Sequence, residues 1–207
     1  MTKILQFVPK PPAKLDFEKV KKSRKGSVEE TKDQLSLFAQ AMGRVYQLPS
    51  NLSPFEQALL LDEKDDQRAA EAYWKAISAD DSTADAYCNL GILEHRAGRT
   101  TKAFDCFTQA LKLDPRHPES HYNLANLYFE AGDLRLAAAH YEMALEVAPE
   151  FPNVYFNLGL VHALQENYPR AIESLEKYKE LVSPEEGKKA VELLSTLKRT
   201  ISASQSQ

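Results

Sequence analysis

The sequence is poor in the residues that punctuate or cross-link a chain. Seven glycines in 207 residues leave little room for a loop that cradles phosphate, and none of them forms such a motif. Two cysteines, Cys88 and Cys106, make neither a metal spacing nor a disulfide framework. No run of about eighteen apolar residues is present, so hydropathy offers no transmembrane helix. The apolar stretch Ile4–Val8 is followed at once by Pro9, Pro11 and Pro12, too short and wrongly flanked for a secretory signal. A cytoplasmic protein without membrane contact is expected.

Chemistry-bearing constellations are equally scarce. His117 and His121 flank Glu119, but His121 occupies a position where its counterparts are packing tyrosines. None of the five histidines has a serine or cysteine partner at an informative spacing. No catalytic residue, metal or cofactor is therefore expected, and the chain does not read as an enzyme.

Charge is unevenly spread. Residues 1–28 hold eight Lys and Arg against Asp16 and Glu18, a balance of +6, while the remainder stands at −10. An acidic body repels the phosphate backbone of nucleic acid; the tail, with Lys19, Lys21, Lys22, Arg24 and Lys25, can attract it weakly and without specificity. Residues 1–26 are Lys- and Pro-rich without periodicity, the composition of a disordered tail. From Ser27 onward the chain reads as helix, with Gly and Pro at the breaks.

What is abundant is repetition. Leu90, Leu124 and Leu158 fall 34 residues apart, and the same step links Gly91, Ala125 and Gly159. It also links Tyr87, His121 and Tyr155, then Ala103, Ala137 and Ala171, then Phe107, Tyr141 and Leu175. Pro115 and Pro149 close two units; Gly98 and Gly132 mark the turn inside them. This pattern resembles the tetratricopeptide repeat signature. The resemblance implies an all-α, right-handed superhelical solenoid of helix hairpins, with helical caps at both ends. The expected units are 84–117, 118–151 and 152–185, preceded by a degenerate repeat at 51–83 that lacks the Leu-Gly pair. Capping boxes at Ser27/Glu30 and Ser183/Glu186 predict an N-terminal capping helix over 27–48 and a C-terminal one over 184–201. Residues 202–207 are expected to be disordered. One hairpin cannot bury its own apolar face, so stacking is obligatory.

In this family the first helix of each hairpin lines a concave face. The sixth position of each clear unit is asparagine: Asn89, Asn123 and Asn157. Asparagine is a mediocre helix former, whereas its amide can pair with both groups of a peptide main chain. The wording resembles the asparagine ladder of the O-linked N-acetylglucosamine transferase superhelix, which implies capture of an extended peptide by the repeats. Tyr122, Asn126, Phe129, Phe156, Leu160, Ile92 and Arg96 are the other expected groove residues, with apolar anchors towards the C-terminal end. A carboxylate clamp for acidic peptide tails would need a basic pair on a later first helix, and Pro118–Gly132 contains no Lys or Arg.

Gln34, Leu35, Leu37 and Phe38 resemble the pentapeptide that docks on bacterial sliding clamps, although the same residues fit a helix packing on the first repeat. The sequence thus predicts a scaffold or adaptor that binds another protein or peptide in its groove. The alternative is a nucleic-acid-associated regulator tethered by the tail or by Gln34–Phe38. Exposed repeat faces can also pair in homodimers, which nothing in the sequence argues against.

Overall fold

A computed structural model describes residues 15–21 and 52–205. The expected N-terminal capping helix and Gln34–Phe38 lie outside the described residues. Nine α-helices form among those described, with no strand: α1 (Pro54–Glu63), α2 (Ala69–Ser78), α3 (Thr83–Arg96), α4 (Thr100–Leu113), α5 (Pro118–Glu130), α6 (Leu134–Val147), α7 (Pro152–Leu164), α8 (Tyr168–Leu181) and α9 (Lys188–Gln205). None of them is long and apolar enough to cross a membrane. Consecutive helices pair as hairpins, the arrangement of a helical solenoid.

The chain divides into two compact units, residues 19–113 and residues 1–18 with 114–207. In the first, α1/α2 and α3/α4 are hairpins and α2 packs on α3. Phe55, Tyr73, Leu90, Ile92 and Phe107 are fully buried there. Gly91 is small for a steric reason: a Cβ would fall 2.7 Å from Phe107 Cε1, a distance that close-packed interiors do not allow. In the second unit α5/α6 and α7/α8 are hairpins, α6 packs on α7 and α8 on α9. A Cβ at Gly159 would meet Leu175 Cγ at 2.8 Å, the same close approach one register on.

The turns obey one rule. After α3, Gly98 at φ +74° ends the helix, its N–H bonded to His95 O while Arg99 N–H reaches back to Glu94 O. Gly132, at φ +81°, repeats this after α5. These are Schellman motifs, which need a left-handed residue. After α7 the same two bonds form around Glu166 at φ +59°, so a non-glycine side chain carries the strain there.

Helix starts follow the capping chemistry. Ser53 and Glu56 make a reciprocal capping box on α1, and Asp133 accepts from Leu136 N–H on α6. His117 is buried and caps α5, its Nδ1 accepting from Ser120 N–H at 3.1 Å. At the C-terminal end the Ser183–Glu186 bonds form, yet residues 184–187 are a turn and the regular helix begins at Lys188. Gly187, a poor helix former, falls in that turn. From α9, Ala190, Leu194 and Leu197 join Ala163, Ala171 and Leu175 in a buried cluster, as a lid on the last hairpin requires.

Candidate functional site

The first helices α3, α5 and α7 carry the asparagines, and all three are buried. Their amides do different things.

In residues 19–113, Asn89 on α3 faces the main chain of Val20. Its Oδ1 accepts from Val20 N–H at 2.8 Å and its Nδ2 donates to Val20 O at 2.9 Å. One residue earlier, the Lys19 ammonium meets Asp62 Oδ1 at 2.6 Å. Asp62, at the end of α1, is only 2% exposed. Its Oδ2 accepts from Tyr73 Oη at 3.1 Å, and the half-exposed Arg96 guanidinium stands 3.8 Å from Oδ1. Burial, then the charge of Asp62, pushes the Tyr73 phenol well up, so it stays a donor to that carboxylate. Ile92 is fully buried in the same helix.

In the other unit, Asn123 on α5 treats Glu18 in the same way. Oδ1 accepts from Glu18 N–H at 2.8 Å and Nδ2 donates to Glu18 O at 2.8 Å. The carbonyl of Asp16 accepts from both Tyr122 Oη and Asn126 Nδ2, each at 2.9 Å. Asn153 Nδ2 reaches the Glu18 carboxylate at 2.6 Å. Contacts at alternate residues, 16 and 18, are the mark of an extended chain. Leu15 is buried with Tyr122, Phe129 and Leu160, and Phe17 and Phe156 pack against that cluster.

Asn157 on α7 turns elsewhere. Its Nδ2 donates to Tyr122 Oη at 3.2 Å and to Asn126 Oδ1 at 3.1 Å. Asn126 Oδ1 also accepts from Tyr141 Oη at 2.5 Å. Burial pushes the Tyr122 and Tyr141 phenols up, which keeps both protonated as donors in this network. Beside it a cavity of about 570 Å³ is lined in part by Leu15, Phe156, Asn157 and Tyr178; Phe156 and Tyr178 stack obliquely with centroids 5.1 Å apart.

The seven described residues of the tail therefore depart from the expectation of a segment without fixed structure. They have no regular secondary structure, but their main-chain groups find partners on α3 and α5. The structure thus brings Tyr122, Asn123, Asn126, Phe129, Phe156, Asn157 and Leu160 together in one unit, and Asn89 with Arg96 in the other. Sequence reasoning missed Asp62 and Tyr141 as residues of the site. For Asp62 a signal existed: one carboxylate at the end of the apolar run Leu59-Leu60-Leu61.

His121 and His140 pair with one another. His121 Nε2 pairs with Pro115 O at 3.0 Å and its Nδ1 with His140 Nδ1 at 3.1 Å. One register on, Tyr155 Oη donates to Pro149 O at 3.0 Å. Burial lowers both imidazole pKa values, that of His140 to about 4 with help from His121. Among the described residues no three His, Cys, Asp or Glu side chains converge as metal ligands would.

Two family profiles described as tetratricopeptide repeat match the chain, one at residues 84–117 and the other at 102–146 and 122–186. Residues 84–186 are tetratricopeptide repeats. Among curated proteins none matches. Among solved structures, MamA superposes with a TM-score of 0.54 at 22% identity, over 72% of this chain and 97% of that one. The first tetratricopeptide domain of Spaghetti (RPAP3), bound to the HSP90 peptide SRMEEVD, gives 0.54 at 20% identity over 57% and 93%. The solution structure of the human RPAP3 domain gives 0.53 at 19% over 60% and 96%. At these identities the likeness concerns the tetratricopeptide fold.

Proposed function

We propose that this chain is an interaction scaffold whose tetratricopeptide first helices take an extended segment of a partner protein. Asn89 and Asn123 would hold its main chain, as the likeness to the transferase ladder implies. Tyr122, Phe129, Phe156 and Leu160 would receive its apolar side chains. One observation carries the reading: each of these two asparagines already pairs with both the N–H and the C=O of a single residue in a segment that is neither helix nor strand. An amide used in this way recognises any residue but proline, which lacks the donor. A neighbour of similar fold is recorded with a bound peptide, which makes the same use reasonable here.

The test is capture from the native cell extract by the full chain and by Asn89→Ala/Asn123→Ala/Asn157→Ala, with far-UV circular dichroism to verify the helices. The expected result is a partner held by the unaltered chain and lost by the folded triple variant. Equal capture by both would dismiss the asparagines as the working surface.

A further inference from the structure

Within residues 19–113 the contacts of Lys19 and Val20 have the form of a peptide in a specific subsite. Asp62 is almost wholly buried, and a buried carboxylate requires a cation close by. Arg96 stands at the outer limit of ion-pair distance with its side chain 46% exposed, whereas Lys19 makes the 2.6 Å contact. The next side chain, Val20, is 4% exposed, and both its main-chain groups go to Asn89. No helix or strand hydrogen bond fixes residues 19–21. The carboxylate, the asparagine and the buried apolar position are all set by the helical scaffold, and the tail only fills them.

Resting on the groove reading above, we infer that Asp62 and Asn89 form a subsite for a lysine followed by an apolar residue other than proline in an extended peptide. Lys19-Val20 is its in-chain occupant, and a partner of that chemistry enters by displacing it. Glutamate in place of the lysine sets like charges together in a buried site, the repulsive element that specificity needs. Being part of the same chain, the in-chain occupant is present at a high effective concentration, so free peptide competes at a disadvantage.

The experiment uses the full chain and a fluorescein-labelled synthetic peptide of residues 15–21, read by anisotropy. Lys19→Ala/Val20→Pro in the chain removes the cation and the donated N–H without touching the helices. The peptide is expected to bind this variant on the order of tenfold tighter than the unaltered chain. Replacing the peptide's lysine by glutamate should weaken binding to the variant by about tenfold or more; adding Asp62→Asn should erase that preference. Equal affinity for both chains would overturn the in-chain occupant, and indifference to lysine or glutamate would overturn the subsite. No peptide binding to either chain, with the cellular partner still lost in the triple asparagine variant, would overturn this inference alone. Loss of both results would overturn the groove reading as well. Should the variant not fold, amide exchange on the unaltered chain decides: Val20 N–H is expected to be protected and to lose protection in excess peptide. Protection unmoved by the peptide would count against displacement.

Discussion

The hairpins α5/α6 and α7/α8 belong to one unit and run in the same register, yet corresponding positions are used differently. Asn123 pairs with the main chain of Glu18, while Asn157 is held by Tyr122 and Asn126. His121 and Tyr155 make the same bond to a closing proline carbonyl, but only the histidine has a second nitrogen, and that one meets His140. Gly132 and Glu166 sit at the same left-handed turn. A shared register therefore fixes where a side chain stands in the hairpin; the residues that neighbouring elements bring beside it fix what it touches. Asn126 is the decisive neighbour, since its counterpart in the next repeat is Leu160, which has no polar group to offer.

Writing one repeat's residues into the other tests this contrast. The largest effect is expected from Asn126→Leu. It strands the fully buried Tyr141 hydroxyl, removes one acceptor from Asn157 and one donor from Asp16 O. Each orphaned buried polar group costs about 1–3 kcal/mol, so a loss of about 3 kcal/mol in urea denaturation is expected. A loss below about 1 kcal/mol would mean that the network contributes little to the fold.

The histidine pair predicts a pH dependence. The folded pKa of His140 is about 4, below the ordinary value near 6.5. The unfolded chain thus binds more protons between these values, and stability present above pH 6.5 is lost as pH falls towards 4. The loss is on the order of 2 kcal/mol, from about 1.4 kcal/mol per pKa unit discounted for partial exposure. Denaturant midpoints across that range should show it, and His140→Gln should flatten the curve. An unchanged slope in the variant would assign the acid sensitivity to other groups.

The smallest effect is a gain. Glu166→Gly, taking the residue of the preceding repeat, relieves a left-handed non-glycine worth about 1 kcal/mol or less after glycine's entropy is counted. A small rise in melting temperature is expected. A fall would show that the glutamate side chain contributes more than the strain it carries.

The hairpins were legible in the sequence because a packing period of 34 residues leaves its mark in recurring small, aromatic and turn residues. Gly91 and Gly159 announce the contacts with Phe107 and Leu175 by being small. The choice of Asn89, Asn123 and Asn157 as candidates was equally open to inspection. What each amide faces was not, because a hydrogen bond to a main chain leaves no signature in the side chains of the segment that makes it. Residues 15–21 read as a charged, aperiodic stretch, and their place against α3 and α5 emerges only in three dimensions. Asp62 was harder to read for another reason: it ends an apolar run, but α1 lacks the Leu-Gly pair that would have set a register.

The pairing of Asp16 and Glu18 with α5 has a kinematic consequence. Main-chain groups of successive residues point to opposite sides of an extended strand, and those of residues 16 and 18 to the same side. A one-residue slip would turn Leu15 and Phe17 out of the apolar cluster and present the wrong edge to Asn123. A two-residue slip restores the main-chain pairing. Any extended segment held this way can keep its main-chain pairing only at shifts of two residues, about 6–7 Å, like a rack that meshes at every second tooth.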